Sequence, residues 1–212
     1  GFEYNGRNMN DAQKIEQIFK LLKSPVKANQ VLAQQLWISQ SIDPFSSDFK
    51  VFRHKGILKH SQKMSYLSTL QDHFPITEWG RSQFWQLYSI CNESLEIATT
   101  DQWSDVKATL LLYSQSDQAK AIFYFSGVAT DFQRITNHLE YLNPLDKDGL
   151  RSALSDVFYR GGRYGRSVGS ITRLLIIRRK SRLPIGYWLE PYGAEQQQMH
   201  LVIFHEATAQ NS

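Results

Sequence analysis

A chain of 212 residues with 24 Lys and Arg against 20 Asp and Glu, net charge +4, is long enough to bury a core without a disulfide or a structural metal. Its twelve Phe, ten Tyr and five Trp exclude a disordered chain. Cys91 is the sole cysteine, which excludes an internal disulfide and a Cys-based zinc site and suits a reducing, cytoplasmic setting.

Asp11 opens a helix whose apolar positions Ile15, Ile18, Phe19 and Leu22 keep helical spacing. Ser24-Pro25 ends it and starts a second, with Val31, Leu32, Leu36 and Trp37 on one side. Asp43-Pro44 breaks the chain, so residues 1–48 are expected to form a helical N-terminal extension and residues 49–212 an α+β domain. A strand is expected within 49–58, followed by a helix marked by Met64, Leu67, Leu70 and Phe74 and stopped by Pro75. Phe84, Leu87, Tyr88 and Cys91 mark the next helix, and Asp101 is expected to open another reaching about Tyr113. Residues 121–125 read as a buried strand. Thr130 or Asp131 then caps a helix carrying Phe132, Ile135, Leu139 and Leu142, and a shorter helix follows over 150–159. Residues 171–177, 185–189 and 201–204 read as strands in an antiparallel arrangement. The expected fold class is α+β: a helical N-terminal half with a mixed or antiparallel sheet toward the C-terminus. No apolar run approaches the roughly 20 residues that span a bilayer.

Charge is unevenly placed. From Arg151 to Arg182 there are nine basic residues and one acid, Asp156, which points to an anionic partner, with a solvated basic face as the competing reading. Within it, Arg160, Arg163, Tyr164 and Arg166 are interleaved with Gly161, Gly162, Gly165 and Gly169. Glycines let backbone N–H groups approach a phosphate and flanking arginines add paired donors, while Tyr164 can stack on a ring; a plain mobile loop fits the same residues. On the strand expected next, Arg173 and Arg179 fall on one side, and Arg178 and Arg182 complete the anion-binding set. The run Arg178-Arg179-Lys180-Ser181-Arg182 resembles the arginine motif that opens PilZ domains and grips cyclic di-GMP, but the Asp/Asn-x-Ser-x-x-Gly motif of that family does not follow it.

Residues 79–84, Trp-Gly-Arg-Ser-Gln-Phe, resemble the Trp-Glu-x-Ser-Arg-Phe motif of the acyl-homoserine-lactone (autoinducer) synthases. The surrounding elements over 49–144 follow a similar order, with Val128 and Arg134 where that family has a valine and an arginine. Gly80 and Gln83 stand where the motif has its glutamate and arginine. The resemblance implies an acetyltransferase-like fold, with Trp79, Arg81, Phe84, Val128 and Arg134 binding substrate and with Ser82 and Glu78 the nearest candidates for catalysis. A helix burying Trp79, Phe84 and Tyr88 as core fits the same residues.

Two functions of different class follow. The first is an acyltransferase, using an acyl-thioester or the acidic acyl carrier protein as donor, with no metal or cofactor. The other is a nucleic-acid-binding module using the basic segment 151–182. An enzyme needs a deep apolar pocket near Trp79 and Phe84, a nucleic-acid binder a broad basic groove. The six histidines show no metal-binding spacing. His205-Glu206, beside a strand, offers a base, and a satisfied edge histidine fits equally.

Overall fold

The computed structural model describes residues 10–38, 49–100, 103–164 and 169–210, with 38 and 160–164 described by their backbone alone. In chain order the elements are α1 (Asp11–Leu22), α2 (Lys27–Ile38), β1 (Lys50–Lys55), α3 (His60–His73), α4 (Ile76–Trp79), α5 (Arg81–Thr100), β2 (Ser104–Gln115), β3 (Gln118–Val128), α6 (Phe132–Leu142), α7 (Lys147–Tyr164), α8 (Ser170–Ser181), β4 (Gly186–Tyr192) and β5 (Gln196–Thr208). The five strands form one sheet in the order β1-β2-β3-β5-β4, every pair antiparallel. The fold class is α+β. Among the described residues no helix is long and apolar enough to cross a membrane.

Side chains alternate across the sheet, and both of its faces are covered. On β3 and β5 the residues Ala121, Phe123, Phe125, Leu201 and Ile203 turn to one face, where α3, α5, α6, α7 and α8 pack. Ile122, Tyr124, Val202 and Phe204 turn to the other, under α1 and α2. That is why β3 is buried along ten consecutive residues: a strand covered on both faces loses the apolar–polar alternation of a half-exposed one. Asn10 caps α1 through a reciprocal pair with Gln13. The buried stripe of α1 is Ile15, Ile18, Phe19 and Leu22, and Phe19 meets Phe204 edge to face at 5.8 Å.

Two expected elements changed type. Residues 104–115 are strand β2, not the tail of a helix opened at Asp101, a residue outside those described. Val106, Ala108 and Leu110 join the helix-rich core while Leu111 turns to the α1/α2 side. Residues 171–177 lie inside helix α8 rather than in a strand. That helix packs against α5, α6, α7 and β5 at once. Its apolar residues Leu174, Leu175 and Ile177 are buried at adjacent positions rather than along one side, so its sequence carries no single-faced stripe.

Candidate functional site

Two features bring α7 and α8 side by side. The Asp146 carboxylate accepts the Gly149 N–H at 2.8 Å and starts α7. Ahead of it, the Asn143 side chain clamps the α6–α7 connection to the entry of β4. Its amide donates to the Ile185 carbonyl and its oxygen accepts the Ile185 N–H, both at 2.9 Å. Arg182, in the left-handed conformation (φ 61°), terminates α8. The first turn of α7 therefore meets the last turn of α8, and further along Ala153 and Val157 meet Ile171 and Leu175.

At the first junction lies a cavity of about 390 Å³. Six cations line it, Lys147, Arg151, Arg178, Arg179, Lys180 and Arg182, against one carboxylate, Asp146. Arg178 is only 6 % exposed. Its Nη2 donates to the carbonyls of Asn143 (3.2 Å) and Leu145 (3.1 Å), its Nε has no acceptor, and no carboxylate pairs with it among the described residues. Burial lowers its pKa. A cation withdrawn from water without a counter-ion is costly unless something compensates it. Lys147, Arg179, Lys180 and Arg182 also lack an ion-pair partner among the described residues. Arg151 has only a loose, exposed approach to Asp148 at 4.0 Å.

Further along the same pair of helices the chemistry changes. A groove of about 230 Å³ runs between α6, α7 and α8, floored by Leu142, Ala153, Val157 and Leu175. Tyr141 on its rim is 54 % exposed, and Phe158 on α7 is 61 % exposed. The surface of α6, α7 and α8 thus carries cations without a close carboxylate at one end and exposed aromatics, Tyr141 on α6 and Phe158 on α7, elsewhere along it.

The anion-binding set read from the sequence divides. Arg178, Arg179 and Arg182 meet in the cavity. Arg173 does not: its Nη1 donates to Glu93 at 2.8 Å and its Nη2 lies 3.6 Å from Glu96, so its charge is already spent. Arg160, Arg163 and Tyr164 lie on the last turn of α7, their side chains outside those described, and Arg166 lies outside the described residues altogether. Lys147 was missed because the charge run was read from Arg151 onward along the chain; Arg151 and Lys180 lay in that run but outside the residues singled out for anion binding. Among the described residues no three His, Cys, Asp or Glu converge to hold a metal.

The set drawn from the synthase resemblance does not assemble. Trp79 is 1 % exposed and stacks on Phe74 at 4.8 Å, and Phe84 is also buried in the core. Gly80, at φ 84°, makes the turn between α4 and α5, a conformation that disfavours the family's glutamate there. Arg81, Ser82 and Glu78 are exposed beside it. This segment sits against Gln210, just past the end of β5. Gln118 pairs with Thr208 at that end of β3, and Val128 is at the other end, ten residues away, or about 33 Å at strand rise. Arg134 is tied to Asp131 on α6. These residues cannot line one cleft.

No family model matches the chain, and no curated protein matches it. Among solved structures, a chain in the crystal structure of the SiaB–SiaC complex from Pseudomonas aeruginosa superposes with a TM-score of 0.59 at 14 % identity, covering 85 % of this chain and 99 % of that chain. At that identity the likeness is one of fold. It is a likeness to a member of a protein–protein complex and not to an autoinducer synthase. With the dispersal of the Trp79 set, it overturns both the synthase resemblance and the acyltransferase function drawn from it. The nucleic-acid alternative loses the basic strand it needed, which is helix α8 with Arg173 paired within the fold, while the arginine loop it also used lies largely outside the described residues.

Proposed function

We propose that the chain is a protein-binding module that docks an acidic partner on its α7–α8 face, within a two-protein assembly like the one its structural neighbour belongs to. The observation that carries this reading is that the neighbouring helices α6, α7 and α8 present both cations with no close carboxylate partner and aromatic side chains held out in water. Aromatic residues and arginine are the types enriched where proteins meet. The division of labour follows from the physics. Charges at the open end steer a negatively charged partner and set the association rate, while Tyr141, Phe158 and the groove beside them supply the desolvated anchor that slows release.

A fluorescein-labelled peptide rich in Asp and Glu and carrying a leucine pair serves as the probe, read by anisotropy at several salt concentrations. Binding should be strongest at low salt and weaken as salt screens the charges. Arg179→Glu combined with Arg182→Glu should cut affinity roughly tenfold or more, mostly through slower association. Tyr141→Ser with Phe158→Ser should instead raise the dissociation rate. Equal binding of a lysine-rich peptide, or indifference to both pairs of substitutions, would remove this reading.

A further inference from the structure

We infer that the cavity between the first turn of α7 and the last turn of α8 is a binding site for a phosphoryl dianion. This goes beyond the docking reading and needs no partner protein, because it stands on the cavity alone.

The first argument is its volume. About 390 Å³ falls in the range of roughly 300–1,000 Å³ typical of small-molecule sites. It is a discrete chamber rather than a stripe. Past the cavity toward the start of α8, Arg173 is taken up by Glu93, and the described surface becomes the apolar groove. Leu145 and Leu150 line the cavity with the cations, so an organic group attached to the anion has an apolar wall to lie on.

The second argument is Arg178. Surface cations need no explanation, but this one is 6 % exposed and lines the cavity. Its plane is fixed by the two carbonyls that Nη2 serves, and its remaining donors lack an acceptor among the described residues. Those carbonyls belong to the segment that Asn143 clamps to Ile185, so the guanidinium is held in place before any ligand arrives. The one carboxylate in the lining is no counter-ion for it in the manner of Glu93 for Arg173, since no ion pair joins Asp146 to Arg178 among the described residues.

The third argument is the match of charge and donors. Helix α7, eighteen residues long, begins at this cavity with Lys147; its dipole favours negative charge there, though the Asp146 carboxylate already takes the Gly149 N–H. Four guanidiniums and two ammoniums converge with it. A carboxylate offers one charge and two oxygens to this array. A phosphoryl group offers nearly two charges and three strong acceptor oxygens, which the arginine forks can grip in pairs. The same dianion can come from inorganic phosphate, from a small phosphomonoester or from a phosphorylated side chain of a docked protein.

Titration calorimetry on the purified chain separates these sources, with inorganic phosphate, phenyl phosphate, acetate, and one peptide in phosphoserine, serine and glutamate forms as probes. Phosphate or phenyl phosphate should bind, acetate much more weakly, and affinity for phenyl phosphate should rise as pH passes about 6, where the dianion forms. Arg179→Gln and Arg182→Gln should each weaken it roughly tenfold, the scale of one charge-assisted hydrogen bond. Arg178→Lys keeps the charge and loses the fork; if circular dichroism shows it folded, it should weaken binding too. Should that variant fail to fold, Lys147→Gln supplies the same test from the other helix. A phosphoserine peptide that outbinds phenyl phosphate and its own glutamate form identifies a phosphoprotein as the source, and the reverse order identifies a small molecule. No dianion binding tighter than acetate, or binding untouched by the arginine substitutions, overturns the site. Tyr141→Ser with Phe158→Ser should leave phosphate affinity unchanged, so failure of the docking reading and failure of this one are told apart.

Discussion

Replacing Arg173 by Met should lower the unfolding free energy by about 1–3 kcal/mol, the cost of leaving a hydrogen-bonded carboxylate without its partner in a partly buried network. For a chain of this size that corresponds to a fall of about 2–12 °C in the thermal midpoint. The side chains of Arg173, Glu93 and Glu96 are each 17 % exposed. Lys63, on α3, closes the network onto Glu96, so α3, α5 and α8 are joined through two cations and two anions. Without Arg173, Glu93 is left half-buried with no cation among the described residues, while Glu96 keeps Lys63. Burial pushes the Glu96 carboxyl up, but the hydrogen bond and charge of Lys63, then Arg173 and His60, hold it below the usual carboxylate range. A depressed carboxylate contributes stability above its unfolded pKa and loses it as pH falls through the folded value. The wild-type advantage over Arg173→Met should therefore shrink in acid. Adding Glu93→Gln to Arg173→Met should restore part of the loss, because it removes the stranded charge. A midpoint within about a degree of wild type would show that the network is solvated and contributes little.

The second large effect concerns His205, on β5. It is 3 % exposed and neither ring nitrogen has a hydrogen-bond partner. Burial, reinforced by the charge of Arg182, lowers its pKa to about 4. In the unfolded chain an imidazole titrates near 6.5, so between those values the unfolded chain binds a proton that the folded chain refuses. Stability is complete above about pH 6.5 and falls as pH drops toward 4, by about 3 kcal/mol from this residue alone. His205→Leu should remove that part. Measured by calorimetry, the fall in midpoint between pH 7 and pH 4 should shrink by about 6–12 °C, while stability at pH 7 should hold or rise, since two unmet polar atoms are gone. Glu96 and the other acid-sensitive groups act in both proteins and cancel in the comparison. An unchanged pH slope would mean that the imidazole is protonated or solvated in the fold. So enclosed an imidazole is out of reach of a substrate and is no catalytic base.

What could be read from the sequence divides along burial. Half-enclosed elements were legible: α1 shows its stripe of Ile15, Ile18, Phe19 and Leu22, and α6 buries Ile135, Leu139 and Leu142, the positions its spacing named. Fully enclosed ones were not. Leu174, Leu175 and Ile177 are all buried on α8, and a short apolar run covered on every side looks alike as helix or strand. The error over β2 has the same origin in reverse: Leu110 and Leu111 are both buried, on opposite faces of the sheet, which reads as a helical pair. For the site, the charge run named Arg178, Arg179 and Arg182 but could not distinguish them from Arg173, five to nine positions away on or just past the same helix. Only the third dimension sends one onto Glu93 and the others into the cavity.

The place of β5 has a consequence for how the chain is made. It is the last strand in sequence, yet it lies between β3 and β4. Until the ribosome has produced it, β3 carries one bare edge of unpaired N–H and C=O groups along a strand destined for burial on both faces. At about 5–20 residues per second, the stretch from the end of β3 to the end of β5 takes roughly 4–16 s to synthesise. Throughout that interval the nascent chain displays an apolar ribbon that pairs as readily with a neighbour as with itself. Slow translation therefore works against this fold, and a chaperone that shields β3 until its true partner emerges raises the yield of native protein without touching its stability.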